Sequence, residues 1–328
     1  MPRFTNFPGG ITSLGIPTFG TGSLPPYTGN YFFVEEVTTA GVAAGAGTAQ
    51  SPFNTIEQAL AECVSGNNDV IFLTGSVHTY ESILWNKNET HLVGVCAPLK
   101  RGKRARISAG GTTGGWNKGF NVTGYGCHFT NFQLFYGWSN SSGALIAWED
   151  DGGRNCYNNV EFLGFGDGTG STGSANLTGS RAFKMSTNNG ETTFRSCVFG
   201  VDTTVRNVTN YTVEIAGGAP RLTFEDCDFE SDLGSSGGGS SHLLIGVDGI
   251  DRYMDMVRCN FWSTTKSGGT AMTQALNVSG TAGGFVQLRD CTGFGFTHWE
   301  TSASGSVVLN MPVPTAHDGG IAIAASPS

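Results

Sequence analysis

Charge is scarce in this sequence. Asp, Glu, Lys and Arg supply 13% of its 328 residues, about half of the roughly 25% usual for soluble domains. The surface must therefore be covered largely by Ser, Thr, Asn and Gly, which suits outward positions on strands. What charge there is sums to −8, which excludes a general affinity for nucleic acid or anionic membranes. No apolar run reaches the roughly 18 residues of a membrane-spanning helix. Residues 1–30 have neither the basic start nor the apolar core of a signal peptide. Without one, the Asn-x-Ser/Thr triplets between Asn88 and Asn277 read as chance in a chain rich in those residues.

Cysteine is too thin for a disulfide scaffold. Eight residues are spread along the chain and no two stand as C-x-x-C, so zinc and redox sites have no support either. The glycine-rich stretches "GAGTAQS" and "GDGTGSTG" lack the lysine of a phosphate loop. The six histidines share no motif spacing and are expected to be structural. No cofactor and no metal is expected. Proline is sparse, 11 against 50 glycines, a ratio that implies many turns.

What is abundant is repetition. "FTNFQL", "YNNVEF", "FRSCVF", "FEDCDF", "MVRCNF" and "LRDCTG" spell one hexapeptide, whose fourth letters are Phe132, Val160, Cys197, Cys227, Cys259 and Cys291. Each copy follows an earlier apolar strand and a Gly- or Asn-rich turn, while the connections between copies vary. In "RLTFEDCDFE" the inward alternation of Leu222 and Phe224 is broken by Glu225–Asp226 and resumes with Cys227 and Phe229. Two polar residues that shift the period by one make a bend that lets both strands face a common interior. The corner residues Asn131, Asn159, Ser196, Asp226 and Asp290 are mostly types that tolerate turn geometry; Arg258 is the exception. Stacked units give parallel strands about 4.8 Å apart around a column of Cys197, Cys227, Cys259 and Cys291 and a column of Phe199, Phe229 and Phe261. This is a solenoid, an all-β, right-handed single-stranded parallel β-helix. Over 52–64, "SPFNTIEQALAECV" starts with a Ser or Asn cap and places Ile56, Ala59, Leu60 and Cys63 at helical spacing. A helix there would cover the first coil.

Candidate chemistry is sparse. Outward positions beside the corner are Gln133, Glu161, Val198, Asp228, Asn260 and Thr292, so Glu161 and Asp228 fall two units apart. That is near the upper end of the roughly 5–9.5 Å that paired glycosidase carboxylates span. Asp228, facing outward, is expected to matter little to stability. Glu149, Asp150 and Asp151 sit in a "DDGG" stretch that reads as a solvated turn. Arg252 and Arg258, near Asp251 and Asp255, read as ordinary ion pairs. The run "KRGKRAR" gathers Lys100, Arg101, Lys103, Arg104 and Arg106 in one loop, either a contact for an acidic partner or a solvated loop. No catalytic residue is assigned, and the chain is expected not to be an enzyme.

"GTAQSPFNTIEQALAECVSGNNDVIFLTGSVHTYES" resembles the opening of pectin-lyase-like β-helix proteins. The start, "FPGGITSLGIPTFGTGSLPPYTGNYFFVEE", resembles the leader of a group of tailed-phage virion proteins. That resemblance implies a virion structural protein, made in the host cytoplasm, that decorates or cements the capsid exterior as a homotrimer. Its partners would be the major capsid protein or other virion proteins. A tailspike or fibre that binds or cleaves host polysaccharide is the alternative, and a free-standing lyase a third. The expected organisation is an extended arm over 1–30, the β-helix over 31–312 and a tail over 313–328. Phe4, Phe7, Ile11, Leu14, Ile16 and Phe19 of the arm alternate with Gly and Pro. Such a segment cannot build a core alone and would order on a partner.

Overall fold

The computed structural model describes residues 12–13, 16–17, 28–36, 45–109, 117–136, 146–164, 177–246, 248–265, 268–278, 284–301 and 307–310. Of the expected arm contacts, Phe4, Phe7, Ile11, Leu14 and Phe19 lie outside these residues, as does the tail 313–328. In that part of the arm only an antiparallel pairing of Thr12–Ser13 with Ile16–Pro17 is described.

The chain winds as a parallel β-helix. Each coil contributes one strand to each of three parallel sheets of ten, eight and seven strands. A typical coil runs Ala219–Glu225 in the ten-stranded sheet, turns a corner, continues as Asp228–Leu233 in the eight-stranded sheet and closes as Ser241–Ile245 in the seven-stranded one.

The hexapeptide is the corner between the first two sheets. Asn131, Asn159, Ser196, Asp226, Arg258 and Asp290 all hold positive φ, between 51° and 60°. One left-handed residue reverses the pleat, so that the strands on either side both send side chains inward. Arg258 adopts the same conformation without being a turn-former, because its neighbours above and below dictate it. Its guanidinium pairs with Glu225 and Asp226 of the previous coil, at 2.7 and 2.8 Å.

The interior is built from the expected columns. Cys197, Cys227, Cys259 and Cys291 are buried and free. Their Sγ atoms lie within 3.3–3.6 Å of carbonyls of the same or the preceding coil. Phe162, Phe199, Phe229 and Phe261 stack at centroid spacings of 5.1, 5.1 and 4.7 Å. A second column, Phe129, Tyr157, Phe194 and Phe224, stacks beside it at 5.1, 4.9 and 4.5 Å. Each ring contributes roughly 1.5–3 kcal/mol by burial, and the offset between columns lets the rings meet edge to face.

The helix spans Ile56–Glu62 and packs on the first two strands of the ten-stranded sheet. Its cap is Thr55, not Ser51 or Asn54. Thr55 Oγ1 accepts the Gln58 N–H at 3.3 Å while Gln58 Oε1 accepts the Thr55 N–H at 3.2 Å, a reciprocal box that satisfies two otherwise orphaned donors.

Of the acidic "EDD" stretch only Asp151 is solvated; Glu149 and Asp150 end a strand and are buried. Asp150 is fully buried and accepts from the N–H groups of Gly152 and Gly153, from Asn155 Nδ2 and from the Tyr157 hydroxyl. Tyr157 in turn accepts from Trp148 Nε1 at 3.0 Å. Burial nevertheless raises the Asp150 carboxyl above its usual range. Glu149 is also buried, paired with Lys118. Of the expected pairs on the outer surface, Arg252 meets Asp251 at 3.1 Å. Asp255 takes Arg289 in place of Arg258.

Candidate functional site

The outer face of the eight-stranded sheet carries two columns of side chains. One, next to the corner, runs Arg106, Gln133, Glu161, Val198, Asp228, Asn260 and Thr292 in unbroken register. The other lies two residues further along each strand. It pairs Ser108 with Phe135 and Phe135 with Leu163, then Gly200 with Glu230, Glu230 with Trp262 and Trp262 with Phe294. A polar ladder thus runs beside an apolar and aromatic one along the solenoid axis. The outward positions of the first column follow from the repeat. The aromatic column keeps the same register, three residues past each aligned position, but its residue types vary from coil to coil, so the repeat does not single out Phe135, Trp262 and Phe294.

One corner is expanded. Where the other coils turn in two residues, the chain leaves His91–Gly94 and re-enters the sheet only at Arg106–Ala109. Residues 95–105 therefore form a strap, and it contains the basic run. The strap folds back over the chain's own carboxylates. Lys103, fully buried, places Nζ 3.0 Å from Glu161 Oε1 and donates to the Lys100 carbonyl at 2.8 Å. The N–H groups of Gly102 and Lys103 also point at Glu161, at 3.1 and 3.3 Å. Gly102 makes this possible with φ of 71°, a left-handed turn that aims successive donors at one anion. Gln133 Nε2 supplies a further donor at 2.9 Å.

Further along, Lys100 Nζ reaches Asp228 Oδ1 at 2.8 Å and Arg101 reaches Asp228 Oδ2 at 2.7 Å. Arg101 also pairs with Glu230 and lies 5.1 Å from the Trp262 ring centroid. Asp228 is four strands from Arg106, so the strap runs about 19 Å along the sheet. Burial lowers the Lys103 ammonium, with Glu161 opposing. Burial raises the Glu230 carboxyl, with Arg101 opposing.

Two sequence-based expectations change here. Asp228 points away from the core yet is 1% exposed, because the strap covers it. The "KRGKRAR" loop is only partly solvated: Arg101, Gly102 and Arg104 are exposed while Lys103 is buried. Lys103 cannot reach a partner, and Lys100 and Arg101 are engaged within the chain, which leaves Arg104 exposed and Arg106 half-buried. Glu161 and Asp228 are brought to one face as expected, with Val198 between them. Both are occupied by cations of the strap.

Beside the strap lies a trough of about 490 Å³. Its floor is Phe135, Leu163 and Val198; its walls are the strap on one side and Val201, Asp202 and Thr203 on the other. The Arg106 guanidinium lies over Phe135, its Cζ 4.2 Å from the ring centroid. An aromatic and aliphatic floor with a few converging polar groups is the usual make-up of a ligand site. A second groove, of about 690 Å³, opens across the strap beside Phe72, Val95 and the corner residues Asn131 and Asn159. Among the described residues no group of three or more His, Cys, Asp or Glu side chains could hold a metal ion. No helix there is long and apolar enough to cross a membrane.

No protein-family model matches the chain, and no curated protein matches it. Solved structures do. A pectin methylesterase variant in complex with a hexasaccharide has 11% identity and a TM-score of 0.51, over 82% of this chain and 80% of its own. The pectin methylesterase from Aspergillus niger has 14% identity and a TM-score of 0.45, over 84% of this chain and 94% of its own. The expectation of a chain without enzymatic activity is corrected by the first of these, an enzyme of the same fold: this architecture gives no ground for setting catalysis aside. At 11% identity the first likeness carries the fold and transfers no residue role. The chain has the pectin-lyase-like parallel β-helix fold.

Proposed function

We propose that this chain is a structural β-helix protein of a tailed-phage particle whose eight-stranded face binds a surface polysaccharide of the host. The observation that carries the binding reading is the trough: an aromatic floor at Phe135, a polar ladder alongside, and aromatic rungs at Trp262 and Phe294 further down the same face. Sugar rings present apolar faces and hydroxyl edges, which such a pair of ladders complements. The pectin methylesterase of the same fold was solved with a hexasaccharide bound, and this supports an extended glycan as the ligand class.

The virion setting rests on the resemblance of the leader. In this reading the solenoid is right-handed, the helix Ile56–Glu62 closes its first coil, and the arm attaches a homotrimer to the major capsid protein or a neighbouring virion protein. Deleting residues 2–28 then leaves a folded β-helix that no longer joins particles lacking this protein.

The test of the binding reading is calorimetric titration of the full chain with purified host-surface polysaccharides. The chain length and ester content of each polymer are followed in parallel to detect turnover. Saturable binding that Trp262→Ala and Phe135→Ala weaken supports the reading. Absence of binding to every polymer, with the protein folded and located on particles, overturns it.

A further inference from the structure

We infer that Arg106 forms the anion-recognising subsite of the trough, so that the glycan held there carries an oxyanion: a carboxylate, sulfate or phosphate substituent. This rests on the saccharide reading above and narrows it.

The reason is an imbalance among the trough's charges. Its lining has four basic residues, Arg101, Lys103, Arg104 and Arg106, against three acidic ones, Glu161, Asp202 and Glu230. Lys103 is paired with Glu161 and Arg101 with Glu230. That leaves Arg104 and Arg106 without an ion pair of their own: Glu161 acts on Arg106 electrostatically but is already held by Lys103, and Asp202 is exposed at the rim.

Arg106 is the unusual one. It is half-buried, yet its guanidinium makes no hydrogen bond or ion pair with any described residue, and its Nε is covered and unpartnered. Its described contact is the face of Phe135 below it, a cation–π interaction. Burying a charged donor without a partner is unfavourable, and stacking offsets only part of that cost. Lys100, Arg101 and Lys103 of the strap each found a carboxylate, and Arg104 is exposed. Arg106 enters the strand at the floor of the trough, one rung from Gln133 and outside the strap's reach.

A guanidinium placed over an aromatic ring, with Leu163 in the same floor and hydroxyls at Ser76 and Thr203 lining the same cavity, suits a planar or tetrahedral oxyanion on a sugar. Arginine meets such a group with two parallel N–H donors, which lysine cannot reproduce.

The experiment compares a uronic-acid polysaccharide, its carboxyl-reduced counterpart and a sulfated polysaccharide, each titrated into the full chain. Wild type is expected to bind an acidic polymer more tightly than the reduced one, and to lose affinity as salt rises. Whether the uronate or the sulfate polymer binds more tightly identifies the oxyanion. Arg106→Gln should cost about tenfold to a hundredfold in affinity for the acidic polymer, the range of a charge-assisted hydrogen bond, and little for the reduced one. Arg106→Lys should recover only part of the loss. Thermal unfolding of each variant separates misfolding from lost recognition, and the salt dependence of wild type gives an independent reading should Arg106→Gln not fold. Equal affinity for acidic and reduced polymers, unchanged in Arg106→Gln, overturns this inference and leaves the saccharide reading standing. Failure of all three polymers to bind overturns both.

Discussion

Replacing Lys103 by Met tests the strap most severely, because it removes one charge and keeps the volume. In the native protein Glu161 faces Lys103 Nζ at 3.0 Å and three N–H donors, from Gly102, Lys103 and Gln133, at 2.9–3.3 Å. At that separation the pair is worth about 5–6 kcal/mol of Coulomb energy for an effective dielectric near 20. The variant recovers part of this, since the ammonium no longer has to be desolvated. Stranding one partner of a buried pair costs about 3–5 kcal/mol. The three remaining donors keep the carboxylate partly satisfied, so the lower half of that range is expected. Urea unfolding at pH 7 measures it. A second variant, Glu161→Gln, and the double variant complete a cycle whose coupling should be about 2 kcal/mol or more. Hydrogen exchange over 97–105 should quicken in Lys103→Met. A loss below about 1 kcal/mol with no coupling, the usual result for an exposed pair, would refute the reasoning and show the strap to be loosely held.

Other outcomes follow from the core and its buried histidines. Phe229→Ala should cost about 3–5 kcal/mol in denaturant stability, since its ring is fully buried between Phe199 and Phe261; a loss under 1 kcal/mol would contradict the stacked column. Asp228→Ala, despite its outward position, should also destabilise, by about 1–2 kcal/mol, because Lys100 and Arg101 each lose a partner but keep the Asp226 carbonyl and Glu230 and are partly solvated. His91 and His242 are held neutral by burial, each down to about 3. The unfolded chain takes up protons below about 6.5 and the native one does not, so their contribution is present above that pH and lost as pH falls towards 3. His242→Phe should reduce the pH slope of stability between 6 and 4 by up to about 1.4 kcal/mol per pH unit; an unchanged slope would show that His242 is protonated in the fold. Cys197, Cys227, Cys259 and Cys291 are free and buried, so thiol reagents cannot reach them and they should react slowly until the protein unfolds; rapid native labelling would count against the column.

The coil was legible in the sequence because its determinants are local and repeated. A polar pair that shifts the alternation by one residue is visible at Asp226 and again at Asp290, and stacking then fixes even Arg258 in the same left-handed turn. The strap was not legible. Its contacts join Lys103 to Glu161 and Lys100 to Asp228 across 58 and 128 residues, and like charges in a row do not say which distant carboxylates they will meet. A signal was present, however: the corner after Gly94 is the one described corner between the ten- and eight-stranded sheets lengthened beyond two residues, and it holds four of the 18 basic residues. Asp150 was misjudged for a related reason. "DDGG" has turn composition, but Asn155 and Tyr157 supply donors that make a buried carboxylate tolerable.

The most direct measurement is hydrogen exchange of the full chain with and without a bound host-surface polysaccharide. The account predicts slowed exchange along one face: the strands Gln133–Tyr136, Glu161–Gly164 and Asn260–Thr264, together with residues 201–203 of the trough wall. Saturable binding with protection confined to the ten-stranded sheet, and none at these strands, would contradict it.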